Sequence, residues 1–257
     1  MRRAARIGRS AALVALLAPA TRATAAAQAI CSAPHSSPVL AQGGSIRAIA
    51  PGSGWVQLSG FRQVSSEFFD PTGQRIAFLG QGEVRTHSFL VTASAGVFRG
   101  VDVWAQLPVH SLVFRDGSGQ RDRVGLGDPR LSVRMSPEIL GATRVPLALR
   151  GGLKLPGTSF PVDATIIPIS EGQRDWELSL ESGTVVAGTQ AYLMGWLGYR
   201  WRELNASRSR KPGNELFAHL AAGGSWRGLR AEVGWELLLG EAPRQLGVEI
   251  PASRRRL

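Results

Sequence analysis

Several residue types are scarce in this sequence of 257 residues: one cysteine, three methionines, two tyrosines and two lysines, Lys154 and Lys211. A lone cysteine, Cys31, excludes an intramolecular disulfide framework. Long apolar runs are missing too. The clearest, Ala11 to Ala20, falls short of the roughly 20 residues that a spanning helix needs, which excludes a helical membrane protein. The four histidines, His35, His87, His110 and His219, stand singly, without the paired spacing of a metal site. Ser111 follows His110, but neighbours on a strand face opposite ways, so no nucleophile and base converge. The expectation is therefore no enzyme, no metal and no cofactor.

Arginine is what the chain does have, for a net charge of +11. Arg2, Arg3, Arg6, Arg9 and Arg22 belong to a secretory signal: a basic start, a short apolar run, and small residues at Ala25-Ala26-Ala27 or Ala27-Gln28-Ala29 for cleavage. Without them the charge falls to about +6. The remaining arginines alternate with apolar residues or interleave with acids rather than forming a basic stripe, so nucleic acid is not an expected partner. Residues 1–27 read as a signal peptide and 28–53, rich in Ala, Ser, Gly and Pro, as a flexible periplasmic leader.

From residue 54 to 257 the pattern has period two. Val145, Leu147, Leu149, Leu153 and Leu155 form an apolar row against Arg150 and Lys154. Trp176, Leu178 and Leu180 oppose Glu177, Ser179 and Glu181. Ala191, Leu193, Leu197, Tyr199 and Trp201 oppose Met194, Trp196, Arg200 and Arg202, while Leu131, Val133 and Met135 oppose Arg130, Ser132 and Arg134. The expected strands are Gly54 to Gln63, Val84 to Val97, Val101 to Phe114, Val124 to Met135, Arg144 to Leu155, Asp175 to Val186, Gln190 to Arg202, Glu215 to Trp226, Leu229 to Leu239 and Gln245 to Leu257. Short connections alternate with longer polar ones at Val64 to Glu83, Arg115 to Arg123, Pro156 to Arg174 and Glu203 to Asn214. That alternation predicts an all-β, up-and-down antiparallel transmembrane barrel of about ten strands. Trp176, Tyr199 and Trp201 fall near one rim and Trp226 near the other, as interface aromatics would.

The polar faces would line the interior. Centring one hairpin at residue 165 puts Lys154 near Glu177 and Arg150 near Glu181; centring the next at 188 puts Glu177 near Arg200. This predicts a ladder of opposite charges, each directly opposed pair worth up to about 1 kcal/mol. Arg130 and Arg134 have fewer acids opposite them, so they are the candidates for attracting an anionic solute. Arg202 completes the inward set. Asp128-Pro129, within Gly-Leu-Gly-Asp-Pro, lacks the residues of a phosphate or calcium loop and reads as a strand start.

The runs Gly125-Leu-Gly-Asp-Pro-Arg-Leu-Ser-Val-Arg134, Gly152-Leu-Lys-Leu-Pro-Gly157, Glu171-Gly-Gln-Arg-Asp-Trp-Glu-Leu178, Gly198-Tyr-Arg-Trp-Arg202 and Lys211-Pro-Gly-Asn-Glu215 resemble, in order and spacing, the outer-membrane transporters of the MetA-pathway of phenol degradation family. The resemblance spans about Trp55 to Glu236. It implies a barrel in the outer membrane of a Gram-negative bacterium, porin-like, with no cofactor, associated with small hydrophobic or aromatic solutes. It also implies outer-membrane lipid and the barrel-assembly machinery as partners, but transfers no substrate-binding residues. The resemblance departs at Pro251-Ala-Ser-Arg-Arg-Arg-Leu257, which lacks the terminal aromatic of such barrels; a missing final hairpin, for twelve strands in all, is the favoured expectation over closure with ten. A filled barrel acting as a structural or surface-binding protein, and a soluble periplasmic β-sandwich, are the competing readings.

Overall fold

The structure, a computed structural model, describes residues 47–69, 74–142, 145–158, 169–206, 209–227 and 229–249. The expected signal peptide, most of the leader with Cys31 and His35, and the last eight positions of the expected tenth strand lie outside these residues. The described chain is all-β, with 3-10 turns at Pro137–Leu140 and at Ala206.

Its strands are β1 (Gly54–Ser65), β2 (Glu67–Phe69), β3 (Arg75–Ala77), β4 (Glu83–Phe98), β5 (Val101–Asp116), β6 (Gly119–Leu126), β7 (Arg130–Met135), β8 (Leu147–Lys154), β9 (Asp175–Val185), β10 (Ala191–Arg202), β11 (Arg210–Lys211), β12 (Glu215–Trp226), β13 (Leu229–Gly240), β14 (Arg244–Gln245) and β15 (Val248–Glu249). Ten of them form one antiparallel sheet in the order β1-β4-β5-β7-β8-β9-β10-β12-β13, with β6 beside the far half of β5. Among the described residues β1 and β13 are its two edges and do not pair with each other. Because β6 and β7 share one position along β5, the sheet has nine positions of alternating direction, and β1 and β13 run the same way.

Three expectations are corrected. The single strand expected over Val124 to Met135 is interrupted at Gly127-Asp128-Pro129. The interruption faces Pro108 of β5, and neither proline has an N–H for the ladder; Gly127 N instead donates to Pro108 O at 2.9 Å. The polar connection expected over Arg115 to Arg123 is mostly strand, closed by a tight turn at Gly117-Ser118 where Asp116 pairs with Gly119. Its charged residues lengthen the hairpin beyond the apolar rows. The described residues of the tenth strand expected from Gln245 are not in the large sheet: β14 pairs with β11 on one side and with β15 on the other in a small separate sheet. Leu246 and Gly247, both at positive φ, turn the chain there.

The pleat sorts side chains with unusual polarity. Across β8, β9, β10, β12 and β13 one outward row reads Leu149, Leu180, Leu197, Ala218, Leu237, and Leu149, Leu180 and Leu197 are 40%, 49% and 54% exposed. The inward positions are polar and buried: Asp102, Gln106, Arg130, Arg134, Arg150, Lys154, Asp175, Glu181, Arg200, Arg202 and Glu215. Among the described residues, buried apolar side chains cluster in two patches. Val84, Leu112 and Phe114 meet Phe78 from a long connection, while Tyr192, Met194 and Ala221 sit toward the opposite end of the strands. Charge thus occupies the middle of the interior, where most globular folds place their core.

Candidate functional site

The candidate site is the network of inward charges on β5 and β7 to β12. In the row nearest the long connections, Lys154 and Asp175 are directly opposed, as are Asp175 and Arg202. Lys154 Nζ contacts Asp175 at 2.8 Å, Glu171 at 2.6 Å and Asp128 at 3.1 Å. Arg202 contacts Asp175 at 3.3 Å and Glu215 at 3.0 Å, and also binds Glu171. In the next row Arg200 contacts Glu177 at 2.7 Å and binds Glu215, while Arg130 reaches the same Glu177 oxygen at 3.2 Å. Further along, Arg134 donates to both oxygens of Asp102, at 2.6 Å for the closest contact, and lies 3.6 Å from Glu181. Arg150 meets Glu181 at 2.7 Å. These are six cations and seven carboxylates. Ion pairs so deeply buried gain Coulomb energy against a large desolvation penalty; their clearest energetic consequence is that removing one partner strands the other.

The pairing follows the strand register more closely than the hairpin arithmetic. Glu177 does face Arg200, and Arg150 does meet Glu181. Lys154, expected near Glu177, is instead level with Asp175, because the β8–β9 register puts Lys154 opposite residue 175. The expected shortage of acids around Arg130 and Arg134 is also corrected. Glu177 reaches Arg130 across Gly152, a position with no side chain to block it, and Asp102 stands directly opposite Arg134. Neither arginine is therefore open to a solute anion as expected.

Asp128 was missed as a site residue. Its break in the strand turns its carboxylate onto Lys154 Nζ and onto the backbone N–H of Gly157 at 2.9 Å and Glu171 at 3.1 Å; the Ser170 hydroxyl donates to it as well. It clasps both ends of the connection between β8 and β9. His110 is buried, with Nδ1 2.8 Å from the Ser88 hydroxyl. His219 stacks on Trp196 at 4.1 Å between ring centroids.

No family model matches this sequence, and no curated protein matches it. The site is therefore interpreted from its own geometry. Trp176 and Trp201 are paired across β9 and β10, and Tyr199 packs edge-on against Trp201 at 5.0 Å. Trp226 lies at the other end of β12 with the Arg227 guanidinium over its ring. Just beyond β10, Glu203 accepts the Trp176 indole N–H at 2.9 Å and the Arg174 side chain at 3.1 Å. The indole bond, with Arg174 behind it, holds the Glu203 carboxyl below the usual carboxylate range.

Two further features mark the two faces of the sheet. The described end of the expected leader is held against the inner face: Ile49 N donates to Asp102, Arg134 donates to Arg47 O, and Gly52 N donates to Gly96 O at 3.0 Å. Gly96 makes this close approach possible, since a Cβ there would lie 2.2 Å from Ile49 O. A hollow of about 950 Å³ crosses six strands, bordered mainly by outward positions, with small residues such as Ala93, Ala105 and Gly151 between Val103, Leu131 and Trp176.

Proposed function

We propose that the chain is a bacterial outer-membrane β-barrel that lets small hydrophobic or aromatic compounds cross passively, reached by export behind a cleaved signal peptide. One observation carries the membrane reading: aliphatic rows point outward while paired charges fill the inside. In water this arrangement leaves contiguous apolar surface of a kind that monomeric soluble proteins avoid. In a bilayer the same rows meet acyl chains, with aromatics at both ends of the band. Outer-membrane lipid and the barrel-assembly machinery are the partners this reading requires. The resemblance to the MetA-pathway of phenol degradation transporters supports a hydrophobic solute.

A second reading keeps the membrane location and drops the passage: a barrel with a filled interior that acts structurally or binds ligands through its long connections. The buried network of Arg130, Arg134, Arg150, Lys154, Arg200 and Arg202 favours it. Liposome swelling and single-channel conductance separate the two. Solute-dependent permeability is expected, and well-folded protein that adds none leaves the filled barrel standing. Extraction from cell envelopes without detergent would instead overturn the membrane location and favour a soluble periplasmic β-sandwich.

A further inference from the structure

Toward the end of the sheet that carries the long connections, the outward rows change character on adjacent strands. On β1 the outward series Val56, Leu58, Gly60 reaches Arg62, with Val64 beyond it. On β4 Val91 and Phe89 give way to His87 and Arg85, and on β5 Leu107 and Val109 give way to Ser111 and, past Val113, Arg115. The register joins these positions into one patch: Arg62 is directly opposite His87, His87 opposite Ser111, and Glu83 opposite Arg115. Arg62, His87 and Arg115 are exposed and Arg85 is partly so.

The arginines of the patch are incompletely answered. Glu83 Oε1 takes Arg85 at 2.6 Å and Arg115 at 3.5 Å, which sets two guanidiniums side by side on a single acid oxygen. Arg85 Nε has no hydrogen-bond partner. Among the described residues Arg62 forms no ion pair, and neither does Asp122, the second acid of the patch, which stands opposite Val113 on β6. The corresponding stretch of β9 and β10 differs: its outward positions are Trp176, Tyr199 and Trp201, and Arg174 beside them is bonded to Glu203. A guanidinium offers five N–H donors in a planar fork that suits phosphate oxygens. One shared carboxylate oxygen leaves most of those donors open. A phosphomonoester brings a charge of about −1.5 to −2 and several acceptor oxygens to such a place. The patch also runs directly into exposed Leu58, Phe89 and Val109 on the same three strands, so a ligand that joins phosphate to acyl chains meets matching surface along its length.

We propose that Arg62, Arg85 and Arg115 bind the phosphate headgroup of an anionic membrane lipid whose acyl chains lie along Leu58, Phe89 and Val109. The site rests on the membrane reading and is independent of solute passage. The test folds the full chain into phosphatidylcholine vesicles containing lipid A, a phosphorylated glycolipid, and counts by native mass spectrometry the lipid A retained on transfer to micelles. Retention in preference to phosphatidylcholine is expected. Arg62→Gln, Arg85→Gln and Arg115→Gln should each weaken it about fivefold, the scale of one arginine at an anionic surface. Raising salt to about 0.5 M should weaken it in wild type as well, because exposed charges are screened. Arg174→Gln should leave it unchanged. Substitutions at exposed positions change stability little, so Arg62→Gln and Arg115→Gln separate a lost lipid from a lost fold. Wild-type retention in all three variants, no preference over phosphatidylcholine, or displacement of lipid A by inorganic phosphate at matching concentration overturns the proposal, the last by showing a soluble-phosphate site. Protein that stays out of the vesicles removes the membrane reading and the lipid site together, whereas protein that inserts without retaining lipid A removes the lipid site alone.

Discussion

At the scale of single residues, the interior is sensitive wherever one charge answers several. Arg134 is the sharpest case, because its side chain and that of Asp102 are almost wholly buried and Glu181 is beside them. Arg134→Met should destabilise the protein by about 3–5 kcal/mol, since the buried Asp102 loses its counter-charge and Glu181 is left with Arg150 alone. Adding Asp102→Asn should recover part of that loss. Denaturant unfolding in micelles measures both, and equal stability of Arg134→Met and wild type would refute the inward placement. Glu203 gives a milder, pH-dependent signal outside the strands. Its folded-state carboxyl is held low by the Trp176 indole and Arg174, so its contribution is fully present above the ordinary carboxylate range and is lost as pH falls through the lower folded value. The Trp176 indole N–H resonance should therefore shift only below the pH at which a free glutamate titrates, and Glu203→Gln should remove that pH dependence.

At the scale of elements, what was legible in the sequence was whatever period two controls. β12 matches its expected span from Glu215 to Trp226, and β9 and β10 differ by a residue or so, because in each the side chains alternate between a buried and a more exposed face. The break between β6 and β7 was not legible. Its cause, Pro108 on β5 beside the segment Gly127-Asp128-Pro129, is a juxtaposition between strands that a single segment does not display. The same holds for the partners of Lys154: a shift of one or two residues in register exchanges Glu177 for Asp175, and long polar connections leave hairpin centres poorly fixed. Asp128 shows how such a break becomes useful, since leaving the ladder frees its carboxylate to hold Gly157 and Glu171. Asp128→Ala should release the connection between β8 and β9 and cost about 2 kcal/mol, the scale of hydrogen bonds to a charged group. Limited proteolysis should then cut within residues 156–174 much faster than in wild type, with the strands protected.

At the scale of the whole molecule, the decisive question is which solvent the outer face meets. The edges bear on it, because β1 and β13 run the same way. One strand of opposite direction between them would hydrogen-bond to both, as a hydrocarbon environment requires of every backbone group. From Trp201 to the level of Trp226 the wall spans about a dozen residues, roughly 40 Å along the strand, or about 28 Å once tilted by about 45°, close to the height of a barrel's apolar band. Leu197 lies between these ends, outward and about half exposed. On a soluble protein, an exposed leucine replaced by arginine changes stability by less than about 0.5 kcal/mol. At the middle of a bilayer the same change costs about 2–4 kcal/mol, falling toward the interfaces. Leu197→Arg should therefore destabilise the protein folded in lipid vesicles by that larger amount, and Trp226→Arg, at the band's edge, by much less. A flat response across the two positions would place the outer face in water, and the passage of hydrophobic compounds would lose its physical basis.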